Sequence, residues 1–242
     1  MGYKVKNITK YYNDLKVLEN ISIDFEPKKT TCILGPSGCG KTTLLNIIGG
    51  ITDKDSGEII GFQDKEMSFI FQEDRLIEWK NVEDNVRFVL KRKMYKKQID
   101  TIIDKYLKLV NLEEYKYYYP RDLSGGMRQK ISILRAFAYQ SKLLIMDEPF
   151  KSLDINSKQI VIEFFKELRK IEKRTCILVT HDIEEALDLS DKIVIFSDKP
   201  TKVKKIIDNI FTVSGNFEDK MRIKKLIERE LTDYNISNHL PS

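Results

Sequence analysis

The stretch that most constrains this chain is Thr30–Leu34 followed by Gly35-Pro36-Ser37-Gly38-Cys39-Gly40-Lys41-Thr42-Thr43. A short apolar run ends at a glycine, a glycine-rich loop follows, and Thr42 to Ile48 then has helical period, closed by Gly49-Gly50. The loop satisfies G-x-x-x-x-G-K-[ST] in the strand–loop–helix context that the motif requires. Its glycines let backbone N–H groups turn inward around a β-phosphate, Lys41 adds a positive charge for β and γ oxygens, and Thr42 offers a hydroxyl to Mg²⁺. The bland alternative is a glycine turn that precedes a helix by accident. A strand feeding such a loop predicts an α/β fold.

A second glycine turn, Leu123-Ser124-Gly125-Gly126-Met127-Arg128-Gln129, says how the nucleotide is used. Ser124, Gly125 and Gly126 can present a hydroxyl and successive N–H groups at the start of the next helix, a concave anion site backed by the helix dipole. With Gly35–Thr43 the chain then carries two half-sites for one kind of phosphate tail. Two half-sites on one chain suggest two chains closing head-to-tail around shared nucleotides. Further on, Leu143-Leu144-Ile145-Met146-Asp147-Glu148 sets two carboxylates at the C-terminal edge of a buried strand, the edge at which open α/β sheets bind ligands.

These motifs resemble the ATP-binding subunits of ABC transporters, whose signature reads LSGGQ or LSGGM-R-Q, and the resemblance covers nearly the whole chain. It implies a P-loop NTPase (RecA-like) core with an N-terminal antiparallel β-subdomain and an inserted α-helical signature subdomain. It implies an ATP hydrolase that binds ATP and Mg²⁺. Residue by residue, Asp147 is similar to the family's magnesium-organising aspartate and Glu148 to its general base for the attacking water. Gln72 resembles the glutamine that touches the metal and relays to the membrane partner, and His181 the switch histidine that reaches the γ-phosphate. Ser152-Leu153-Asp154 resembles the loop through which each subunit senses the other. Tyr12 aligns with the aromatic that stacks on adenine, with the adjacent Tyr11 one register away and strand packing the alternative for both.

Composition agrees with that reading. The 242 residues suffice for one large domain, and 41% apolar against 33% charged residues is a globular balance. No run approaches the roughly 18 apolar residues of a membrane span, and Met1 to Lys10 lacks a secretory core, so a cytoplasmic location is expected. Forty-two basic against 37 acidic residues is too small an excess to argue for nucleic acid. Cys32, Cys39 and Cys176 have no metal-ligand spacing. Cys32 and Cys176 read as buried thiols, and Cys39 as a thiol whose alkylation blocks the nucleotide.

Along the chain, Tyr3 to Phe25 alternates as antiparallel strands do, and Phe69-Ile70-Phe71 is a strand. Asn81 to Lys142 is mostly helical, with Val86, Val89, Ile99, Ile102, Ile103, Tyr106, Leu107 and Val110 as buried faces. Ile160, Val161, Phe164, Phe165, Leu168 and Ile171 form one helical stripe between strands Leu143–Met146 and Thr175–Thr180, a parallel-sheet crossover. Lys192 to Phe196 is a further strand and Lys220 to Leu231 a terminal amphipathic helix. The expected organisation is a single ABC-type ATPase domain over 1–242: β-subdomain and α/β core at about 1–80 and 143–210, helical subdomain at about 81–142, tail at about 211–242.

Phe71-Gln72-Glu73-Asp74-Arg75-Leu76-Ile77-Glu78-Trp79 resembles the FQE-x-x-L-L-P-W segment of nitrate, sulfonate and taurine importer ATPases, with Glu78 where that group has proline. Asp198-Lys199-Pro200 is similar to the same group's S-x-x-P turn. Only 31 positions separate Lys41 from Gln72, which suggests a trimmed hairpin in the β-arm. The resemblance implies solute import through a separate transmembrane permease, a homodimer closing around ATP, an extracytoplasmic solute-binding protein, and a place on the inner face of the cell membrane. Trp79, the only tryptophan, is either an anchor for the membrane subunit or packing between the helical part and the core. Lys91-Arg92-Lys93 with Lys96-Lys97 reads as a solvated helix face, or a contact with lipid head groups. The rival is a soluble ABC-type ATPase acting on ribosomes or DNA, which usually has tandem cassettes or long coiled-coil insertions. A plain P-loop kinase or GTPase has no use for the signature turn.

Overall fold

A computed structural model describes residues 2–62, 67–91, 95–211 and 215–232. Arg92 and Lys93 of the basic stretch lie outside those residues, as do parts of the tail at 212–214 and 233–242. Backbone contacts divide the chain into two compact units, residues 1–65 with 175–242 and residues 66–174.

The first unit opens with β1 (Tyr3–Tyr12) and β2 (Leu15–Phe25), antiparallel with Val5 opposite Ile23. β4 (Ser56–Ile60) pairs antiparallel with the other edge of β1, so the order is β2-β1-β4. The alternation predicted for Tyr3 to Phe25 is real: Val5, Ile8, Val17, Ile21, Ile23 and Phe25 are buried. β3 (Thr30–Leu34) is buried at every position, as a central parallel strand must be. It lies between β7 (Thr175–Thr180) and β8 (Lys192–Phe196), both parallel to it, with Thr31 opposite Ile177 on one side and Lys192 on the other. β9 (Val203–Asp208), which periodicity did not reveal, adds antiparallel to β8. Its pattern is mostly open, with only Ile207 buried, which is why its apolar signal is weak.

Helix α1 (Lys41–Ile48) leaves the glycine loop and buries Leu44, Leu45, Ile47 and Ile48, so it begins one residue before the expected Thr42. Helix α6 (Ile183–Leu189) is capped by Asp182, whose carboxylate accepts from the Glu184 and Glu185 N–H groups. Helix α7 (Phe217–Thr232) begins and ends slightly outside the predicted Lys220–Leu231. It buries Ile223 and Ile227 and sets Lys220 2.6 Å from Asp188 of α6.

In the second unit β5 (Met67–Ile70) and β6 (Leu143–Asp147) run parallel, Met67 opposite Leu143. Around them lie α2 (Val82–Leu90), α3 (Lys96–Leu109), α4 (Gly125–Ala138) and α5 (Ile155–Ile171), with α4 against each of the other three helices. Phe137 of α4 meets Phe165 of α5 edge-on at 5.9 Å, a favourable ring geometry. The α5 stripe is narrower than predicted: Val161, Phe164, Phe165 and Leu168 are buried, whereas Ile160 and Ile171 face out. On α2 and α3 the residues Val86, Ile99, Ile103, Tyr106 and Leu107 are buried, and Val89 and Ile102 only partly. Buried Asn85 holds the turn before α2 through bonds to Ile77 N and O, Lys80 O and Asn81 O.

Candidate functional site

Three phosphate-loop features follow directly from glycine chemistry. Gly38 and Gly40 have φ of 74° and 118°, values that side chains with a Cβ rarely adopt. A Cβ on Gly40 would also stand 2.9 Å from a Leu18 methyl and 3.0 Å from one of Val17. On Gly35 it would meet Phe196 Cβ at 2.9 Å, so the loop is held close to β2 and β8. Lys41 is 4% exposed, and its ammonium donates to the Gly35 and Pro36 carbonyls at 2.8 Å each. Ser37 and Thr42 are exposed, Pro36 and Thr43 partly so. Here the ammonium lies within the loop, where the phosphate oxygens of a nucleotide are the stronger acceptors.

Cys39 corrects one expectation. Its side chain is 2% exposed and burial pushes its pKa up, so the thiol resists alkylation instead of offering a handle on the nucleotide. Cys32 and Cys176 are buried, as expected.

Elsewhere in the first unit, Tyr11 and Tyr12 near the end of β1 are 40% and 46% exposed, each with a lysine 5.5 Å from its ring, Lys16 and Lys10 respectively. Neither packs as a core tyrosine does. His181 is exposed at the end of β7. Thr180 before it donates to Glu185 at 2.6 Å and accepts from the Asp182 N–H at 3.1 Å. The histidine therefore sits on a turn whose two sides are tied together.

The second unit carries the other motif residues. Ser124 is the N-cap of α4 and accepts from Met127 N–H at 3.3 Å, while Gly125 is exposed with nothing within 4 Å of where its Cβ would lie. Gly126 is tighter, since a Cβ there would come 3.1 Å from Ser157 of α5. Asp147 ends β6 half-buried. Glu148 follows, 9% exposed, with φ of 44° and Lys151 Nζ at 2.6 Å. A left-handed glutamate is strained by about 1 kcal/mol or more, and such strain concentrates at functional sites.

Within this unit the motifs touch one another. Gln129 of α4 is buried and donates to the Pro149 carbonyl at 2.5 Å, tying the signature helix to the turn that carries Glu148. Ser152 Oγ donates to the Gln72 carbonyl at 3.2 Å. Asp154 caps α5 through the Asn156 and Ser157 N–H groups at 3.1 Å, and its hydrogen bonds with Ser157 hold its pKa down. Arg128 forks onto Asp74 at 2.8 and 3.2 Å and reaches Glu78 at 2.7 Å. Burial pushes the Asp74 carboxyl up, yet the Arg128 hydrogen bonds outweigh it and leave its pKa lowered. Arg128 and Gln129 are inside the signature run, but spacing alone does not reveal what they hold; their i, i+1 offset simply turns one outward and one into the core.

Trp79 is 80% exposed, so it does not pack one part of the chain onto another. Phe71 stacks on Phe69 and lies 3.7 Å under the Arg75 guanidinium, which stiffens the segment leading to the tryptophan. No described helix is long and apolar enough to cross a membrane.

A buried lysine in a glycine loop that feeds α1 from a parallel strand, together with a strand-end carboxylate pair, defines a nucleotide-hydrolysing α/β class. Residues 18–151, more than half of the chain, match the family described as ABC transporter. The chain is 37% identical over 239 residues to the aliphatic sulfonates import ATP-binding protein SsuB of Bacillus cereus, covering 94% of each. It is 39% identical over 211 residues to the sulfate/thiosulfate import ATP-binding protein CysA of Mannheimia succiniciproducens, covering 81% of this chain and 59% of that one. A solved dimeric ATP-binding cassette in a post-hydrolysis state with ADP and Pi superposes with a TM-score of 0.74 at 28% identity, covering 86% of this chain and 98% of that one. The chain belongs to the ABC transporter family, as one of its ATP-binding and ATP-hydrolysing cassettes.

Proposed function

We propose that this cassette energises solute import through a separate transmembrane permease on the inner face of the cell membrane, with a sulfonate-, nitrate- or taurine-like oxyanion as the solute. The observation that supports the reading is the turn at the N-terminus of α4, where Ser124 and Gly125 are exposed and nothing lies within 4 Å of where a Gly125 Cβ would be. Two copies would bind two ATP, each between the loop Gly35–Thr43 of one and the turn Ser124–Gly126 of the other. Tyr12 stacks on adenine, and Asp154 sits where each copy senses its partner. The relatives' names speak for import and against work on ribosomes or DNA.

Thr42, Gln72 and Asp147 would hold Mg²⁺. No group of three or more His, Cys, Asp or Glu forms a metal cage among the described residues. That fits magnesium, which keeps waters and substrate phosphates around one or two protein oxygens. The donors here are a hydroxyl, an amide and a carboxylate, all hard oxygens. When bound, the ion neutralises charge on the β and γ phosphates. Glu148 is the base that orients the attacking water, His181 and Gln72 report the γ-phosphate, and Lys41 carries the phosphate tail. Residues about 81–142 form the helical subdomain that swings the signature turn.

The permease would dock on the segment ending at Trp79, an exposed aromatic among Glu73, Asp74, Arg75 and Glu78. Native purification of the tagged chain should bring down a polytopic membrane protein and, with it, an extracytoplasmic solute-binding protein. Trp79→Ala should weaken that capture while leaving melting temperature and ATP binding unchanged. Recovery of ribosomes or DNA in place of a membrane protein would overturn the import reading.

A further inference from the structure

One buried hydroxyl outside every motif bears on the phosphate loop. Thr201 is fully buried between β8 and β9, yet its side chain donates to the carbonyl of Cys39 inside the loop. Its backbone is committed as well: its N–H donates to Val17 O at 3.0 Å, and its carbonyl accepts from Glu19 N–H at 2.9 Å. Thr201 is thereby stitched into β2 on both sides of Leu18, and its hydroxyl is the one group left to reach the loop.

The bond lands on a specific peptide unit. In a trans peptide the C=O and the following N–H point in opposite directions. Holding the Cys39 carbonyl toward Thr201 therefore aims the Gly40 N–H away from it. Gly40, at φ 118°, carries no Cβ that would itself fix the orientation of this peptide. Steric closure by Leu18 and Val17 keeps the loop near β2 but does not choose the orientation of a peptide plane. A directional hydrogen bond does.

We propose that Thr201 is a positioning residue of the phosphate loop, setting the Cys39–Gly40 peptide so that the Gly40 N–H is presented to the nucleotide phosphates before they arrive. The inference rests on the reading of Gly35–Thr43 as the ATP phosphate site. Thr201 touches no nucleotide itself and acts through the Cys39 carbonyl.

The test measures equilibrium binding of ATP, ADP and adenosine by the full chain, with kcat and KM for hydrolysis and the nucleotide-free melting temperature. Thr201→Val keeps the shape and removes the donor. It should weaken ATP and ADP binding about tenfold and raise KM by a similar factor, with kcat within about threefold and adenosine binding unchanged. Thr201→Ser restores the hydroxyl and should return ATP affinity to within about twofold of the parent. Should the valine variant not fold, Thr201→Ala carries the same expectation. ATP affinity within twofold of the parent in the folded valine or alanine variant overturns the proposal, whatever its melting temperature. Equal loss in the serine and valine variants overturns it too. Lys41→Ala separates the two layers: if that variant binds ATP normally, the phosphate-site reading itself has failed.

Discussion

The two glycine turns of this chain use the same residue for opposite reasons. In the phosphate loop, Gly35 and Gly40 are glycines because surrounding atoms leave no room: Phe196, Leu18 and Val17 all crowd the missing Cβ, and Lys41 is buried. At Gly125 nothing lies within 4 Å, and the residue is exposed. A backbone braced from behind is an anion site already folded into shape. Where the backbone is bare on its open side, the site is shaped for something that arrives from outside. In the dimer proposed above, the first would be a half-site finished by its own core and the second one finished by a ligand held on the other copy.

The sharpest way to break that comparison is to damage each turn on a different copy. Lys41→Ala or Ser124→Arg alone should abolish hydrolysis. If the turns serve each other across a dimer, mixing the two variants gives pairs in which one site carries both lesions and the other neither, and activity returns. If each copy builds its own complete site, mixing restores nothing. Next in size is Glu148→Gln, which should slow hydrolysis by about 100-fold or more, the scale for losing a positioned base, while ATP still binds. Trapped nucleotide should then hold two copies together in gel filtration. Turnover near that of the parent would remove Glu148 from its role.

How much of this was visible in the residues alone follows the same contrast. The phosphate loop, the buried β3 and β6 and the alternation of β1 and β2 have strong local signals, because each is dictated by glycine φ or by burial on known faces. Gly38 and Gly40 are read as positions that let the backbone turn inward, and both have positive φ. What stayed hidden depends on partners distant in sequence. Thr201 lies 162 positions from the carbonyl it holds, and nothing near it hints at that bond. Gln129 reads as one polar residue of a motif until its donation to Pro149 is seen. β9 has no clear alternation to read because its strand is largely open. Cys39 sat in a loop and so read as accessible, although the packing of that loop against its neighbours buries it. Ile160 and Ile171 misled in the other direction, since a helix can expose apolar residues at the rim of its buried stripe.

A gentler pair of changes sharpens the comparison in stability instead of activity. Gly40→Ala forces a Cβ into φ 118° and to within 2.9 Å of Leu18, which should cost about 2 kcal/mol or more and lower the melting temperature by several degrees. Gly125→Ala adds a methyl into open space at the first residue of α4, where it restricts the unfolded chain and stabilises by about 0.4–1 kcal/mol. The second variant should melt at or above the parent temperature and still lose activity, because its methyl stands where a partner's phosphate is expected. A Gly125→Ala protein that hydrolyses ATP normally would mean the exposed turn receives nothing.

The smallest effect is expected from acid. Asp74 has its pKa lowered by hydrogen bonds from Arg128 that overcome its burial, whereas the exposed Glu26 is brought to about 2 by hydrogen bonds from Lys192 and Lys29. Both carboxylates have folded pKa values below their unfolded ones. Their stabilisation is therefore complete above the unfolded value, near pH 4–5, and is lost as pH falls through the folded value. The two differ in what surrounds them. Asp74 is partly buried beside α4, so its pair with Arg128 is little screened by salt; Glu26 is itself 42% exposed, so its pairs contribute little at ordinary ionic strength. Melting curves between pH 7 and pH 3 should thus show a loss that shrinks in Asp74→Asn and barely changes in Glu26→Gln. Raising salt to about 1 M should flatten the Glu26 contribution first, because screening at that strength reaches within about 3 Å. If Glu26→Gln changed the acid slope more than Asp74→Asn, the surface lysines, and not the arginine on the signature helix, would be the stronger electrostatic hold.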